Sequence, residues 1–142
     1  MAKKTSKTPV SREKSIKKLT AAEQEAYKKK LLALRARISG DVSAMTDGAL
    51  NQSLLESSGG LSVAPSHMAD IGSDNFEREQ TLSFIQSDNA ILVHIEEALA
   101  RIKAGTYGIC ENCGCSIPKV RLDVLPYTAS CVGCVEIAQQ KR

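Results

Sequence analysis

Apolar residues recur at intervals of three and four in two long stretches of the chain. The first stripe runs from Tyr27 to Met45, and the second runs from Ile85 to Ile102 with polar Asp88 interrupting it. This spacing places the side chains on one face of an α-helix, in the manner of helices that pair through a narrow seam. The pattern therefore predicts two long amphipathic helices.

The first helix has a clear start and a clear stop. Thr20 and Glu23 fit a capping box, in which each side chain would accept a hydrogen bond from the other residue's backbone amide. The apolar pattern fades near Glu56, and residues 57–60 read Ser-Ser-Gly-Gly, a sequence that breaks helices. We therefore expect this helix to run from about residue 20 to residue 56.

The second helix is predicted from about residue 75 to residue 104. Asp74 and Glu77 suggest a second capping box, and Lys103 followed by Gly105 is typical of a helix C-terminus. A tip loop at about 57–73 would join the two helices into an antiparallel hairpin, or coiled coil, roughly 45 Å long. A compact bundle is the alternative, but no third pattern of similar length is present to complete it.

Four of the five cysteines form two Cys-x2-Cys pairs separated by seventeen residues. The proposed ligands are Cys110, Cys113, Cys131 and Cys134. This spacing is typical of a four-cysteine zinc site, and four thiolates leave no coordination position for a reactive water. We therefore predict one structural Zn²⁺ in a small zinc-finger domain at 105–142, with a short C-terminal helix and Cys115 as a spare thiol.

Charge is distributed unevenly along the chain. Residues 1–19 carry seven Lys or Arg and one Glu, whereas the remainder has a net charge of −3. We interpret residues 1–19 as a disordered basic tail. A zinc-ribbon protein that binds nucleic acid, or acts as an adaptor, through this tail is one functional alternative. The mildly acidic body argues against sequence-specific DNA binding.

Other functional classes have less support in the sequence. A thiol oxidoreductase using Cys113 and Cys115 would need a thioredoxin-like alternation of strands and helices, which is missing. Only two histidines occur, and no nucleophile set, phosphate loop or carboxylate pair is apparent. The chain is thus not expected to be an enzyme. Without an export signal or an apolar run of membrane-spanning length, we expect it in the cytoplasm, where paired cysteines more often bind metal than form disulfides.

Several runs of sequence can be compared with a known family. Residues 69–79 read ADIGSDNFERE, residues 105–114 read GTYGICENCG, residues 117–122 read IPKVRL, and residues 131–134 read CVGC. These runs resemble the DksA/TraR zinc-finger proteins. The resemblance covers about residues 65–138 in detail, and the first helix resembles the family in character alone.

The resemblance implies a transcription regulator that binds bacterial RNA polymerase. In such proteins the zinc end grips the rim of the secondary channel, and the hairpin enters the channel and modulates initiation, often together with ppGpp. His94 stands where some members have a lysine near the alarmone site, which argues against ppGpp dependence here. A monomer is expected, because the predicted loop is long enough to fold the seam back on itself.

The tip of the hairpin departs from the best-known members. They carry Asp-x-x-Asp-x-Ala, whereas the matching residues here run from His67 to Gly72, with Asp70 between them. The resemblance therefore assigns the partner-binding tip to Asp70, with His67 and Gly72 replacing the usual residues. An aspartate at that position could perturb a catalytic site built around Mg²⁺, because bound cations dominate local electrostatics.

Overall fold

The computed structural model describes residues 17–57 and 68–141. Within these ranges the chain forms four helices: α1 (Ala21–Ser57), α2 (Met68–Ala104), α3 (Lys119–Val124) and α4 (Val132–Gln140). Helices α1 and α2 pack against each other in an antiparallel hairpin, and 37 residues correspond to roughly 55 Å of helix. The predicted fold class, a mainly helical hairpin with a small cysteine-rich C-terminal unit, is confirmed.

The start of α1 follows the capping box. The Thr20 amide donates to Glu23 Oε2 at 2.9 Å, and the Glu23 amide donates to Thr20 Oγ1 at 3.3 Å. These bonds satisfy amides that have no partner inside the helix. Of the predicted basic tail, residues 1–16 lie outside the described residues.

The predicted start of α2 is wrong. Helix α2 begins at Met68, so Asp74 lies inside it and does not cap it. The residues before Asp74 include the good helix formers Met68 and Ala69, and Gly72 costs an interior helix only about 1 kcal/mol. Residues 68–73 of the predicted tip loop therefore belong to the helix, and residues 58–67 lie outside the described residues.

The buried core lies at one end of the hairpin. The buried apolar residues are Tyr27, Leu31 and Ile38 of α1, Ile95, Ala98 and Leu99 of α2, and Tyr107, Cys110, Ile117 and Leu122 beyond α2. Within residues 41–51 and 72–94, no described side chain is buried. The hairpin is thus packed most tightly where it meets the C-terminal unit.

Arg101 holds α2 to the C-terminal unit. Its side chain is buried, and the two terminal guanidinium nitrogens donate to the carbonyls of Tyr127 and Thr128, both at 3.3 Å. Its Nε donates to the Glu97 carbonyl at 3.3 Å and lies 3.6 Å from a Glu111 carboxylate oxygen. A planar cation that bonds several elements at once fixes their relative orientation.

Helix α1 is bonded to the same unit through α3. The Tyr27 hydroxyl and the Lys30 ammonium both donate to Asp123 Oδ1 at 3.0 Å. Lys119 forms an ion pair with Glu23, the residue that also closes the capping box. Both long helices are therefore bonded to the C-terminal unit, which makes the base of the hairpin a single packed body.

None of the helices within residues 17–57 and 68–141 carries an apolar stretch long enough to cross a bilayer.

Candidate metal centre

The first cysteine pair lies on a tight turn after α2. Ile109 and Ser116 form an antiparallel bridge, and the Cys110 amide donates to the Cys115 carbonyl at 2.8 Å. The Gly114 amide closes the turn by donating to the Cys110 carbonyl at 2.9 Å. Gly114 has a φ of +70°, which glycine adopts without the steric cost that a side chain would bring.

The second cysteine pair lies at the start of α4. Cys131 is the N-cap residue, with extended backbone, and Cys134 follows in the first turn. A spacing of three residues at a helix start places both sulfurs on the same side. The Cys131 amide also donates to Cys110 Sγ at 3.3 Å, which joins the two pairs directly.

The four sulfurs converge on one point. The Sγ atoms of Cys110, Cys113, Cys131 and Cys134 all lie within 4.8 Å of one another, and those of Cys113 and Cys131 are 3.6 Å apart. A tetrahedral Zn²⁺ with bonds of about 2.3 Å would place its sulfurs about 3.8 Å apart. The residues present therefore fit zinc. Cys115 lies outside the cluster, with its sulfur 4.0 Å from the Cys113 carbonyl oxygen.

The electrostatics of the cluster also favour a cation. Burial raises the pKa of Cys110, but amide donors, led by the Cys131 amide, outweigh burial and lower that pKa to about 6. Hydrogen bonds to Cys113 and Cys131 raise the pKa of Cys134 above its ordinary value. The site thus stabilises one thiolate and resists a second negative charge. A bound Zn²⁺ would resolve this conflict, because it stabilises thiolates at all its ligands.

Helix α3 and its bonds to α1 were missed by sequence reasoning. The helix begins directly after Pro118 and ends just before Pro126. Prolines on either side of a short segment are a usable signal, since proline is favoured at a helix start and cannot continue a helix. The partners of Asp123 are more than ninety residues away in sequence, so no local pattern could indicate them.

The predicted tip residues lie far from the cysteines. Asp70 and Gly72 are in the first turns of α2, at the opposite end of that helix from the metal centre. A Cβ added at Gly72 would meet nothing within 4 Å. His67 lies outside the described residues. The structure therefore brings the four cysteines together and separates them from the tip by the length of α2.

Comparison with known proteins first identifies the C-terminal unit. Residues 105–140 match the family model of the prokaryotic dksA/traR C4-type zinc finger. The chain is 38% identical over 80 residues to an uncharacterised protein of Aquifex aeolicus (strain VF5), covering 56% of this chain and 55% of that protein. It is 33% identical over 110 residues to general stress protein 16O of Bacillus subtilis (strain 168), covering 77% and 64% respectively. The match spans less than two thirds of the length of either relative.

Two solved structures share the fold over most of this chain. The structure of transcription factor DksA2 from Pseudomonas aeruginosa superimposes with a TM-score of 0.67 at 24% identity, covering 84% of this chain and 85% of that one. The Dks protein of Chlamydia trachomatis L2, described as an RNA polymerase binding protein and transcriptional regulator, gives a TM-score of 0.51 at 22% identity over 87% and 94% of the two chains. At sequence identities of 24% and 22%, the structural similarity establishes the fold of this chain.

Proposed function

Since the chain carries a dksA/traR C4-type zinc finger on a DksA-like helical hairpin, we propose that it is a transcription regulator that binds bacterial RNA polymerase. The observation that carries the proposal is the joining of this zinc finger to a hairpin of two 37-residue helices in one fold. The chlamydial protein of the same fold is described as binding RNA polymerase. Regulation of transcription initiation through RNA polymerase is the function that best uses both the zinc finger and the helical hairpin.

The proposed mechanism assigns a role to each end of the molecule. The zinc held by the four cysteines would fix the shape of the base, which would rest on the rim of the polymerase secondary channel. The hairpin would enter the channel, because two paired helices form a narrow rod, whereas a globular domain would be too wide to enter. Asp70, in the first turn of α2, would then approach the catalytic centre, where a carboxylate alters the field around bound Mg²⁺.

The proposal is tested by binding and transcription together. The purified protein should co-purify with its own RNA polymerase, and a crosslinker at position 70 should attach to residues near the catalytic centre. Asp70→Asn should bind as well as the wild type and lose the effect on initiation. Asp74→Asn, one helical turn away with the same charge change, is the matched control and should keep both properties. Absence of any affinity for the polymerase would exclude the proposed function.

The same proposal holds that the protein regulates transcription independently of ppGpp. His94 pairs with Glu97, with 3.2 Å between Nδ1 and Oε2, and its ring stacks on Tyr127 at a centroid distance of 6.4 Å. These contacts support a role for His94 within the base of the hairpin and not in anion binding. Adding ppGpp to the transcription assay should leave the effect of the protein unchanged.

The basic tail supports a second candidate function, nucleic-acid binding. Residues 1–19 have a net charge of +6, and such a segment binds phosphate backbones with a strong dependence on salt. Deleting residues 1–16, which removes a net charge of +4 and spares Leu19 and the capping box, should then strongly weaken DNA or RNA binding and reduce its salt dependence. Unchanged nucleic-acid binding would reject this candidate.

A further inference from the structure

The hairpin has charge of opposite sign at its two ends. We define the distal segment as residues 41–51 and 72–92, and the basal segment as residues 17–40 and 93–141. The distal segment holds six acidic residues and one basic residue, for a net charge of −5. The basal segment holds twelve basic and seven acidic residues, for a net charge of +5. A charged stretch of chain near the hairpin would therefore be attracted to one end and repelled by the other.

The carboxylates of the two segments differ in whether they have a cationic partner. Six of the seven basal carboxylates pair with a Lys, Arg or His side chain: Glu23, Glu25, Glu96, Glu97, Glu111 and Asp123. Five distal carboxylates are exposed and form no ion pair within residues 17–57 and 68–141: Asp41, Asp47, Asp74, Glu77 and Glu79. The distal carboxylates are thus the ones available to a further cation.

The N-terminal residues 1–16 are basic and long enough to reach the distal segment. They hold five Lys or Arg and one Glu, for a net charge of +4. Lys17, the first described residue, lies at most about 14 Å from the start of α1, and Asp41 lies roughly 30 Å further along that helix. Fully extended, the chain carries Lys3 roughly 46–50 Å from Lys17, but carries Lys14 only about 10 Å. Only the outer part of this segment can therefore meet the distal carboxylates.

The first part of α1 repels a basic segment, and the later part attracts it. Residues 28–37 hold five basic residues and no acidic one, whereas every charged residue of α1 beyond them is acidic. A basic segment that starts at the base therefore gains most by extending past residue 37. The charge pattern of α1 thus favours contact in the distal segment over contact at the base.

From these charges and lengths we infer that residues 1–16 dock back along α1, with Lys3, Lys4 and Lys7 against the exposed distal carboxylates. Each exposed ion pair contributes little by itself and is screened by salt. Several pairs act together here, and the covalent tether gives the lysines a high effective concentration at the distal segment. The docked segment is an internal competitor, because a partner of the distal carboxylates must displace it.

Two variants with the same change of net charge separate the outer from the inner lysines. The outer variant is Lys3→Gln, Lys4→Gln, Lys7→Gln. The inner control is Lys14→Gln, Lys17→Gln, Lys18→Gln, whose lysines are too close to the base to reach the distal segment. Neither variant alters a residue of the four helices or the four-cysteine cluster, so zinc content and helical circular dichroism should equal those of the wild type.

Backbone amide NMR spectra of the zinc-loaded proteins locate the contact. At low salt, the outer variant should shift amide signals of residues 41–51 and 72–92 relative to the wild type, and the inner control should leave those signals in place. At about 1 M salt, where the Debye length is about 3 Å, the distal signals of all three proteins should coincide. Carbodiimide, which joins amines to carboxylates in direct contact, should link the outer lysines of the wild type to distal carboxylates.

Three outcomes would overturn the inference, and each has a distinct reading. Distal signals that are the same in the wild type and the outer variant at low salt would show that residues 1–16 do not dock there. Equal distal shifts in both variants would show an effect of net charge without a specific contact. Crosslinks between ¹⁵N-labelled and unlabelled chains in an equal mixture, in place of crosslinks within one chain, would make the segment of a second copy the occupant.

The consequence for partner binding rests on the proposed function, with RNA polymerase as the partner. At low salt the outer variant should associate with immobilised polymerase about threefold faster than the inner control, because no docked segment has to leave first. Equal rates would overturn the competitor role. Failure of the wild type to bind polymerase would remove the proposed function alone, since the spectra and crosslinks test the docking without polymerase.

Discussion

The two ends of the hairpin are built from the same pair of helices but packed differently. At the base, Leu31 and Ile95 are completely buried, and Arg101 bonds to carbonyls of the zinc finger. In the distal half the apolar residues of the two helices, such as Met45 and Ile85, are only half-buried. An open cavity of about 280 Å³ is lined there by Met45, Gly48, Ala49, Arg78 and Thr81. Apolar spacing continues through both halves, but only the base has a tight core.

The difference shows what a helical hairpin needs in order to be rigid. Two amphipathic helices can each bury one narrow face against the other, and that leaves most of their surface in water. At the base the zinc finger adds a second packing surface, so that Tyr107 and Leu122 are also buried. The distal half has no such addition. It should therefore open locally at a lower free energy than the base.

The largest effect is expected from removing a zinc ligand. Cys131→Ser should abolish stoichiometric zinc binding and unfold the C-terminal unit, since structural zinc sites contribute on the order of 10 kcal/mol to folding. The three tyrosines all lie at the base, and the chain has no tryptophan. The tyrosine band of the near-ultraviolet circular dichroism spectrum therefore reports on the base and should be lost, whereas much of the far-ultraviolet helical signal should remain.

Cys115→Ser is the matched control for this experiment. Its sulfur lies outside the four-sulfur cluster, so zinc content and the tyrosine signal should equal those of the wild type. An equal loss of zinc in both variants would show that Cys115 also binds the metal.

Shortening one isoleucine side chain in each half of α2 compares the packing of the basal and distal halves of the hairpin directly. Ile95 is completely buried in α2, and Ile85 is half-buried ten residues earlier in the same helix. Ile95→Ala should lower the free energy of unfolding by about 3 kcal/mol, because it leaves a cavity in a tight core. Ile85→Ala should cost about 1 kcal/mol, since water already reaches that side chain. Urea unfolding of the two variants measures both values, and equal losses would remove the distinction between the halves.

The sequence predicted the two long helices and the cysteine cluster because their signals are local. A capping box, an apolar spacing and two Cys-x2-Cys pairs each lie within a short stretch. The apolar spacing of the first helix could not show that Leu31 is buried and Met45 only half-buried. The difference in burial depends on the zinc finger, which packs over the base. Arg101 gave no signal either, since its carbonyl partners lie 26 and 27 residues further along. The start of α2 was missed because the capping-box motif at Asp74 also fits inside a continuing helix.

Two glycine substitutions should change stability in opposite directions. Gly108, at the base, has a φ of +84°, and an added Cβ would lie 2.7 Å from Leu19 Cδ1. Gly108→Ala should therefore cost about 2 kcal/mol in strain and displaced packing. Gly48, in the distal half of α1, has nothing within 4 Å of an added Cβ, so Gly48→Ala should gain about 0.5–1 kcal/mol. Thermal unfolding measures both, and a loss at Gly48 would mean that the distal helices are closer together than the structure indicates.

The smallest effect concerns acid sensitivity at the base. A hydrogen bond from Lys119, followed by one from the Thr20 amide, lowers the pKa of Glu23 from 4.5 to about 2. Hydrogen bonds from Lys30 and Tyr27 likewise lower the pKa of Asp123. A carboxyl whose pKa is lowered by folding stabilises the folded state above its unfolded pKa, and that contribution is lost as the pH falls through the folded value. The contact between α1 and α3 should therefore weaken between about pH 4.5 and pH 2.

Glu23→Gln should flatten the loss of stability over that pH range, because glutamine has no proton to gain. Glu25→Gln is the matched control: Glu25 lies two residues further along, pairs with Lys28, and is exposed. It should keep the wild-type pH dependence. Urea unfolding at several pH values, monitored through the tyrosine circular dichroism signal of the base, gives the slope of the free energy of unfolding against pH for each protein. Parallel slopes for the wild type and Glu23→Gln would show that the ion pair with Lys119 does not persist in solution, and the junction would then depend on Asp123 and Arg101.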